Sequence, residues 1–180
     1  MSVVKILPSY TYEDYCLWEG RWELIEGIPY AMSPAPVPRH QWVAVNITSE
    51  LRAAVKRSNC KHCKVYNFID VKVEEDTILQ PDASIVCKPI TKKFLDFPAT
   101  LVVEILSDTT ALKDRISKYS IYEKFGIKYY LIVDPEKESV EIYFLKNSKY
   151  ILQTFSPEKP LTFSLDGDCS IEVTFKNFWE

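Results

Sequence analysis

Hydrophobic positions change period several times along this chain, and each change predicts an element. "TYEDYCLWEG" reads as a short helix and "RWELIEGIPYAMS" as an alternating stretch that turns back on itself in a hairpin. The prolines of "SPAPVPRH" forbid regular helix until about Arg39; from there Val43, Ile47, Leu51 and Val55 recur every fourth residue, predicting a long amphipathic helix. "KVYNFIDVKVEED" alternates as a strand does, and "ILQPDASIVCK" restarts after Pro81, so two strands joined by a short acidic turn are expected. "LVVEILS", from Leu101, is apolar on both faces, which predicts a strand covered on each side at the centre of a sheet. Asp108 and Thr110 can cap the helix that follows, in which Leu112, Ile116, Tyr119 and Tyr122 recur at helical spacing until Gly126. "KYYLIVDPE" is then a strand stopped at Asp134-Pro135, and the strand, helix, strand order makes the Leu101 and Tyr129 strands parallel. The remainder predicts antiparallel strands with a turn near Asn147. No repeat or long linker divides the chain, so residues 1–180 are expected to form a single α/β domain with a mixed β-sheet, flanking helices and additional antiparallel strands.

Composition narrows the picture. The chain of 180 residues is 47% hydrophobic and 26% charged with 4 glycines, as a folded globular protein should be. No run approaches the roughly 18 apolar residues that would cross a bilayer. The start "MSVVKILPSYTYEDY" has no basic patch followed by a long apolar segment, so a cytoplasmic protein without a membrane partner is expected. The 5 cysteines are then expected as reduced thiols; "CKHC", Cys60 to Cys63, has the spacing of half a zinc site, but no second close pair follows it in sequence. A net charge of -3 and a pI near 5.5 predict no general attraction to phosphate polymers, although carboxylates that hold a metal would themselves lower the pI. The two histidines, His40 and His62, sit beside no nucleophile motif, so a serine or cysteine triad is unsupported.

The chemistry begins with Glu104, a carboxylate in an apolar strand. Burying it costs several kcal/mol unless a cation or hydrogen-bond donors meet it. Val102, Glu104 and Leu106 share one strand face, while Val103, Ile105 and Ser107 share the other. Asp82, directly after Pro81, is expected at the exposed start of its strand; were the two strands neighbours, Asp82 and Glu104 would converge. Two converging anions repel unless a divalent cation lies between them, and Mg²⁺ suits such oxygen ligands, with the Ile105 carbonyl as a further one. Lys118 lies on the helix that returns over this strand. Asp114 and Tyr122, one turn either side, could orient its ammonium, which would offset the carboxylates and stabilise charge on a phosphate.

"QPDASIV" followed by "FPATLVVEILSDTTALKDRISKYSIYEKFGIKYYLIVDPEKESVEIYFL", with "WELIEGIPYAMSPAPVPRHQ" upstream, resembles the bacterial "putative restriction endonuclease" domain family, long called a domain of unknown function, of the PD-(D/E)XK nuclease superfamily. The resemblance covers nearly the whole chain and implies a restriction-endonuclease-like core and a metal-dependent endonuclease acting on DNA. By it, Asp82 and Glu104 are metal ligands for Mg²⁺ or Mn²⁺ and Lys118 is the catalytic lysine. The lysine expected two residues after the glutamate is here Leu106, so the ammonium must come from the helix, with Lys113 as the fallback to Lys118. The serine-proline common after the glutamate is here Ser107-Asp108. His40 matches a position where the family often has histidine, and Glu23 and Glu26 in "WELIEG" match the family pattern and would support the site.

Each residue also has a plainer reading. Asp82 after proline can be a turn residue, Glu104 and Lys118 can form a buried pair, and His40 at a helix start can be structural. Glu50 is a further acid on the first helix, with a poor match to the family. "KRSNCKHCK" and "KPITKKF" are scattered basic segments that could contact phosphates. A homodimer would let two sites act on two strands, with exposed edge strands of the tail as the contact. Against the nuclease stand a non-catalytic protein of the same fold and a partner-binding domain that needs no metal.

Overall fold

The computed structural model describes residues 8–32, 36–107 and 113–180, except for the side chain of Asp114. It opens with a short helix, α1 (Tyr12–Tyr15), and a hairpin of β1 (Trp22–Ile25) and β2 (Ile28–Ala31). The long helix α2 (Pro38–Arg57) starts on the last proline of its segment, where the missing N–H costs nothing, and buries Val43, Ile47 and Leu51 as the stripe predicts.

The next stretch departs from the expected pair of strands. It forms four, β3 (Lys64–Tyr66), β4 (Val71–Glu74), β5 (Thr77–Leu79) and β6 (Ala83–Val86). Phe68 takes a left-handed conformation, φ 53°, and Pro81 offers no N–H to a ladder. These breaks split each long segment, so β4 and β5 pair around the Glu75-Asp76 turn while β3 pairs with β6.

The buried run is β7 (Leu101–Ile105), all five residues of it buried. A π-helical turn (Asp114–Lys118) leads into α3 (Tyr119–Phe125), which ends at Gly126 in the left-handed conformation. The expected caps Asp108 and Thr110, and Leu112 of the apolar stripe, lie outside the described residues. Then come β8 (Tyr129–Asp134), β9 (Ser139–Lys146), β10 (Lys149–Leu152), β11 (Leu161–Ser164) and β12 (Ser170–Val173), and a closing 3-10 turn (Phe175–Phe178). Asn147 and Ser148, both at positive φ, make the β9–β10 turn where a turn is expected.

The central sheet has the order β10-β9-β8-β7-β6-β3, with β7 and β8 parallel and the other pairs antiparallel. A second sheet, β2-β1-β5-β4, and the two-stranded β11-β12 complete the mixed α/β architecture. One face of the central sheet packs Ile85, Val103, Ile105 and Leu131 against Val43, Ile47 and Leu51 of α2 and against Phe163 and Ile171 of the tail. The other packs Val102, Leu106, Tyr130 and Ile132 against Tyr122 of α3. The alternation expected along β7 is therefore observed. Ile116, expected in the apolar stripe, is instead 61% exposed, because the π turn inserts a residue and shifts the phase of the helix.

The cysteines also differ from expectation. Cys60 pairs with Cys169 and Cys63 with Cys87 as disulfides, leaving Cys16 free and exposed. Folding brings together sulfurs whose sequence separations are 109 and 24 residues. Among the described residues, no helix is long and apolar enough to cross a membrane.

Candidate active site

The register of the β6–β7 pair sets Ala83 opposite Val103 and Ser84 opposite Val102, so Asp82, directly before β6, comes beside the end of β7. Asp82 is buried, not at an exposed strand start as its sequence position suggests. Its Oδ2 accepts the Ile105 N–H at 2.8 Å, which draws the carboxylate over the end of β7. His40, near the start of α2, places its Nε2 3.0 Å from the Ile105 carbonyl and 3.5 Å from Asp82 Oδ2. Asp82, Ile105 and His40 thus meet where β7 ends and the layers on its two faces come together.

Glu104 meets the helix side. Its Oε1 lies 2.9 Å from Lys118 Nζ and accepts the Tyr122 hydroxyl at 2.7 Å. The Lys118 ammonium also lies 2.7 Å from Glu23 Oε1, while Lys113 Nζ lies 2.6 Å from Glu23 Oε2. Lysines five residues apart would point about 140° away from each other on an α-helix. In the π turn i and i+5 fall on nearly one face, which is how both reach a single carboxylate. Glu23 comes from β1 and also accepts the Gln80 N–H at 3.0 Å, so it ties the second sheet to the segment that carries Asp82. Of the two lysines, Lys118 is the one that touches Glu104.

Burial and charge act together here. Glu23 is 0% exposed and Lys118 1%. Burial pushes the Glu23 carboxyl up, but the Lys118 and Lys113 ammonium groups outweigh it and hold the pKa below the ordinary value. Burial, and then the charges of Glu104 and Glu23, push the Tyr122 phenol well above its usual value, so it is a neutral donor at any physiological pH. Among the described side chains, three buried carboxylates (Glu23, Asp82, Glu104) gather with two ammonium groups and the His40 imidazole, a cluster dominated by oxygen donors. The donors on offer, carboxylate oxygens and the Ile105 carbonyl, are hard and fit Mg²⁺ in kind. Among the described residues, the sets of three metal-ligating side chains with donor atoms within 4.8 Å of one another are built from cysteines and His62, not from these carboxylates. Here the Ile105 N–H, Lys118 and Tyr122 engage the carboxylates instead.

The other expected residues scatter. Glu26 is exposed in the β1–β2 turn at φ 50°, away from the contacts of Glu23. The side chain of Asp114 lies outside what is described. Glu50 faces the tail, accepting the Thr174 N–H at 3.0 Å and the Asn177 amide at 2.8 Å. Sequence reasoning missed Gln80, whose backbone links Glu23 to the Pro81-Asp82 step and whose side chain donates to Asp70 at 2.6 Å. Its place directly before Pro81 was the available signal.

Residues 11–173 match a family model described as "Uma2: Putative restriction endonuclease". An uncharacterized protein of Synechocystis sp. is 28% identical, over 76% of this chain and 74% of the relative. The fold is similar to the crystal structure of a protein of Anabaena variabilis ATCC 29413 described as "a putative nuclease belonging to DUF820". The TM-score is 0.74 and the identity 16%, and the match covers 94% of this chain and 97% of that one. At that identity the likeness speaks for the fold alone.

Proposed function

This chain belongs to the restriction-endonuclease family matched by its residues 11–173, and from that premise we propose that it is a metal-dependent phosphodiesterase that cuts DNA. Asp82, Glu104 and the Ile105 carbonyl would hold Mg²⁺, with Mn²⁺ as a substitute. Bound there, the ion supplies Lewis acidity and lowers the pKa of water. The protein's own part is electrostatic. Lys118 faces Glu104 from the helix and offsets negative charge that grows on a phosphate, and solvent protonates the leaving oxygen. Tyr122 and Glu23 hold Lys118 and Glu104 in place, and His40 fixes the Ile105 carbonyl. The observation that carries this reading is the Lys118 ammonium held between two buried carboxylates, Glu23 and Glu104, beside the end of β7 that Asp82 caps. In a homodimer, the exposed β10 edge with Ile151 and Leu152 would form the contact.

A second reading, a non-catalytic domain of the same fold, draws support from the depth of the site: Asp82 is 7% exposed and Glu104 3%, less than a phosphate diester would need. Plasmid and single-stranded DNA incubated with Mg²⁺ or Mn²⁺ decide between the two. The nuclease predicts cleavage that is lost in Asp82→Ala and Lys118→Ala and kept in Lys113→Ala. A protein whose melting temperature rises with Mg²⁺ but which cuts neither substrate is the non-catalytic form.

A further inference from the structure

A second cluster of ligating side chains lies apart from the carboxylates. Cys60 and Cys63 stand between α2 and β3, Cys87 directly follows β6, and Cys169 directly precedes β12. The register that pairs Lys64 with Val86 sets Cys63 opposite Cys87. The Cys63 N–H donates to the Cys60 carbonyl at 2.9 Å, closing the C-x-x-C segment into a tight turn. All four cysteines are buried. The Sγ atoms of Cys60, Cys63 and Cys169 lie within 4.8 Å of one another, and those of Cys63 and Cys169, which belong to different pairs, are 3.9 Å apart.

That cross-pair distance separates two descriptions of the same sulfurs. Two independent disulfides have no need to touch. A tetrahedral ion with metal–sulfur bonds of about 2.3 Å holds its sulfurs about 3.8 Å apart, a spacing that Cys63 and Cys169 already have, while the bonded pairs Cys60–Cys169 and Cys63–Cys87 would open to it on reduction. We propose that Cys60, Cys63, Cys87 and Cys169 form a tetrathiolate site for Zn²⁺, distinct from the carboxylate site. The site loads from the reduced state: a dithiol reductant donates two electrons and two protons to each disulfide and is itself oxidised to a disulfide, and each of the four thiols then gives up its proton as the ion binds. A cleft lined by Asn59, His62, Asp166, Gly167, Asp168 and Cys169 reaches the cluster and gives the ion a way in. His62 has a ring nitrogen within 4.8 Å of the Cys63 and Cys87 sulfurs, but it is exposed and stands outside the buried set. Once loaded, the ion clasps the β11–β12 tail to the α2–β3 turn and the end of β6.

The test is metal content and thiol count on the full chain, purified without chelator in the presence of a dithiol reductant that is removed before measurement. Elemental analysis is expected to give one zinc per chain, and unfolding in guanidinium with EDTA to expose all 5 thiols of the sequence to Ellman's reagent. Replacing zinc by Co²⁺ should give the thiolate-to-cobalt charge-transfer band of a tetrahedral sulfur site, and EDTA should lower the unfolding midpoint by roughly 10 °C. Cys87→Ser should lose the metal, while Cys16→Ser and His62→Ala keep it; if Cys87→Ser does not fold, the cobalt spectrum of the unaltered chain still decides. A single titratable thiol without zinc means two disulfides and overturns the proposal. So does a full set of thiols that binds neither Zn²⁺ nor Co²⁺, and loss of zinc from His62→Ala overturns the all-sulfur set.

Discussion

The carboxylate centre and the cysteine cluster both gather side chains around a point, but they differ in what holds them there. In the first, the members are one another's counter-ions: Glu23 and Glu104 share the Lys118 ammonium, and removing any one upsets a buried balance of charge. In the second, the sulfurs are bonded in pairs and carry no charge, so the loss of one costs a clasp but leaves no stranded charge. Oxygen donors suit a hard ion that keeps its waters for chemistry, and sulfur donors suit a soft ion that is closed to them. One protein thus has a region suited to reaction and another suited to fastening.

The widest separation of the two regions should appear in activity. Asp82→Ala is expected to reduce DNA cleavage about a hundred- to a thousandfold per folded molecule, with Cys169→Ser close to the unaltered rate. Equal losses in both would erase the distinction. In stability, Lys118→Met should cost about 3–5 kcal/mol in urea, since it removes the ammonium that Glu23 and Glu104 share; a cost under about 1 kcal/mol would mean that the shared ion pair is not buried as described. Tyr122→Phe, which takes one donor from Glu104 and leaves the ring, should cost about 1.5–3 kcal/mol in the same assay. Acid titration gives the smallest and most diagnostic effect. The native carboxyl of Glu23 lies below its ordinary 4.5, so its contribution is complete above that pH and is lost as the pH falls through the lower native value. Glu23→Gln should therefore flatten the acid limb of the stability curve, and an unchanged slope would show that Glu23 is not held by its lysines.

The two regions also differ in how far the chain revealed them. Asp82, Glu104 and Lys118 lie within one continuous run of strand, strand and helix, and the cost of burying Glu104 by itself calls for a cation or hydrogen-bond donors. The parallel β7 and β8 and the hairpins followed from period and turn chemistry in the same way. What local pattern could not carry was phase and distance. A 3.6-residue period extended through Ile116 misses a π turn, since nothing in the spacing of apolar residues announces the extra residue. Cys87 and Cys169 could not be matched to "CKHC" because their nearness arises from sheet register and from the tail folding back. Glu50 looked like a site acid and serves instead to hold Thr174 and Asn177, a use set by the tail and not by its own helix.

The widened turn at Asp114–Lys118 makes the two lysines sensitive to how this helix winds. Deleting one residue there would close the turn to ordinary α winding and bring the two lysines to i and i+4, about 40° apart, so both would still face Glu23. Forcing plain α winding at unchanged length would instead turn Lys113 about 140° away from Lys118. A single-codon deletion would therefore spare the pair of cations, and most substitutions at the exposed Ile116 would also leave both in place.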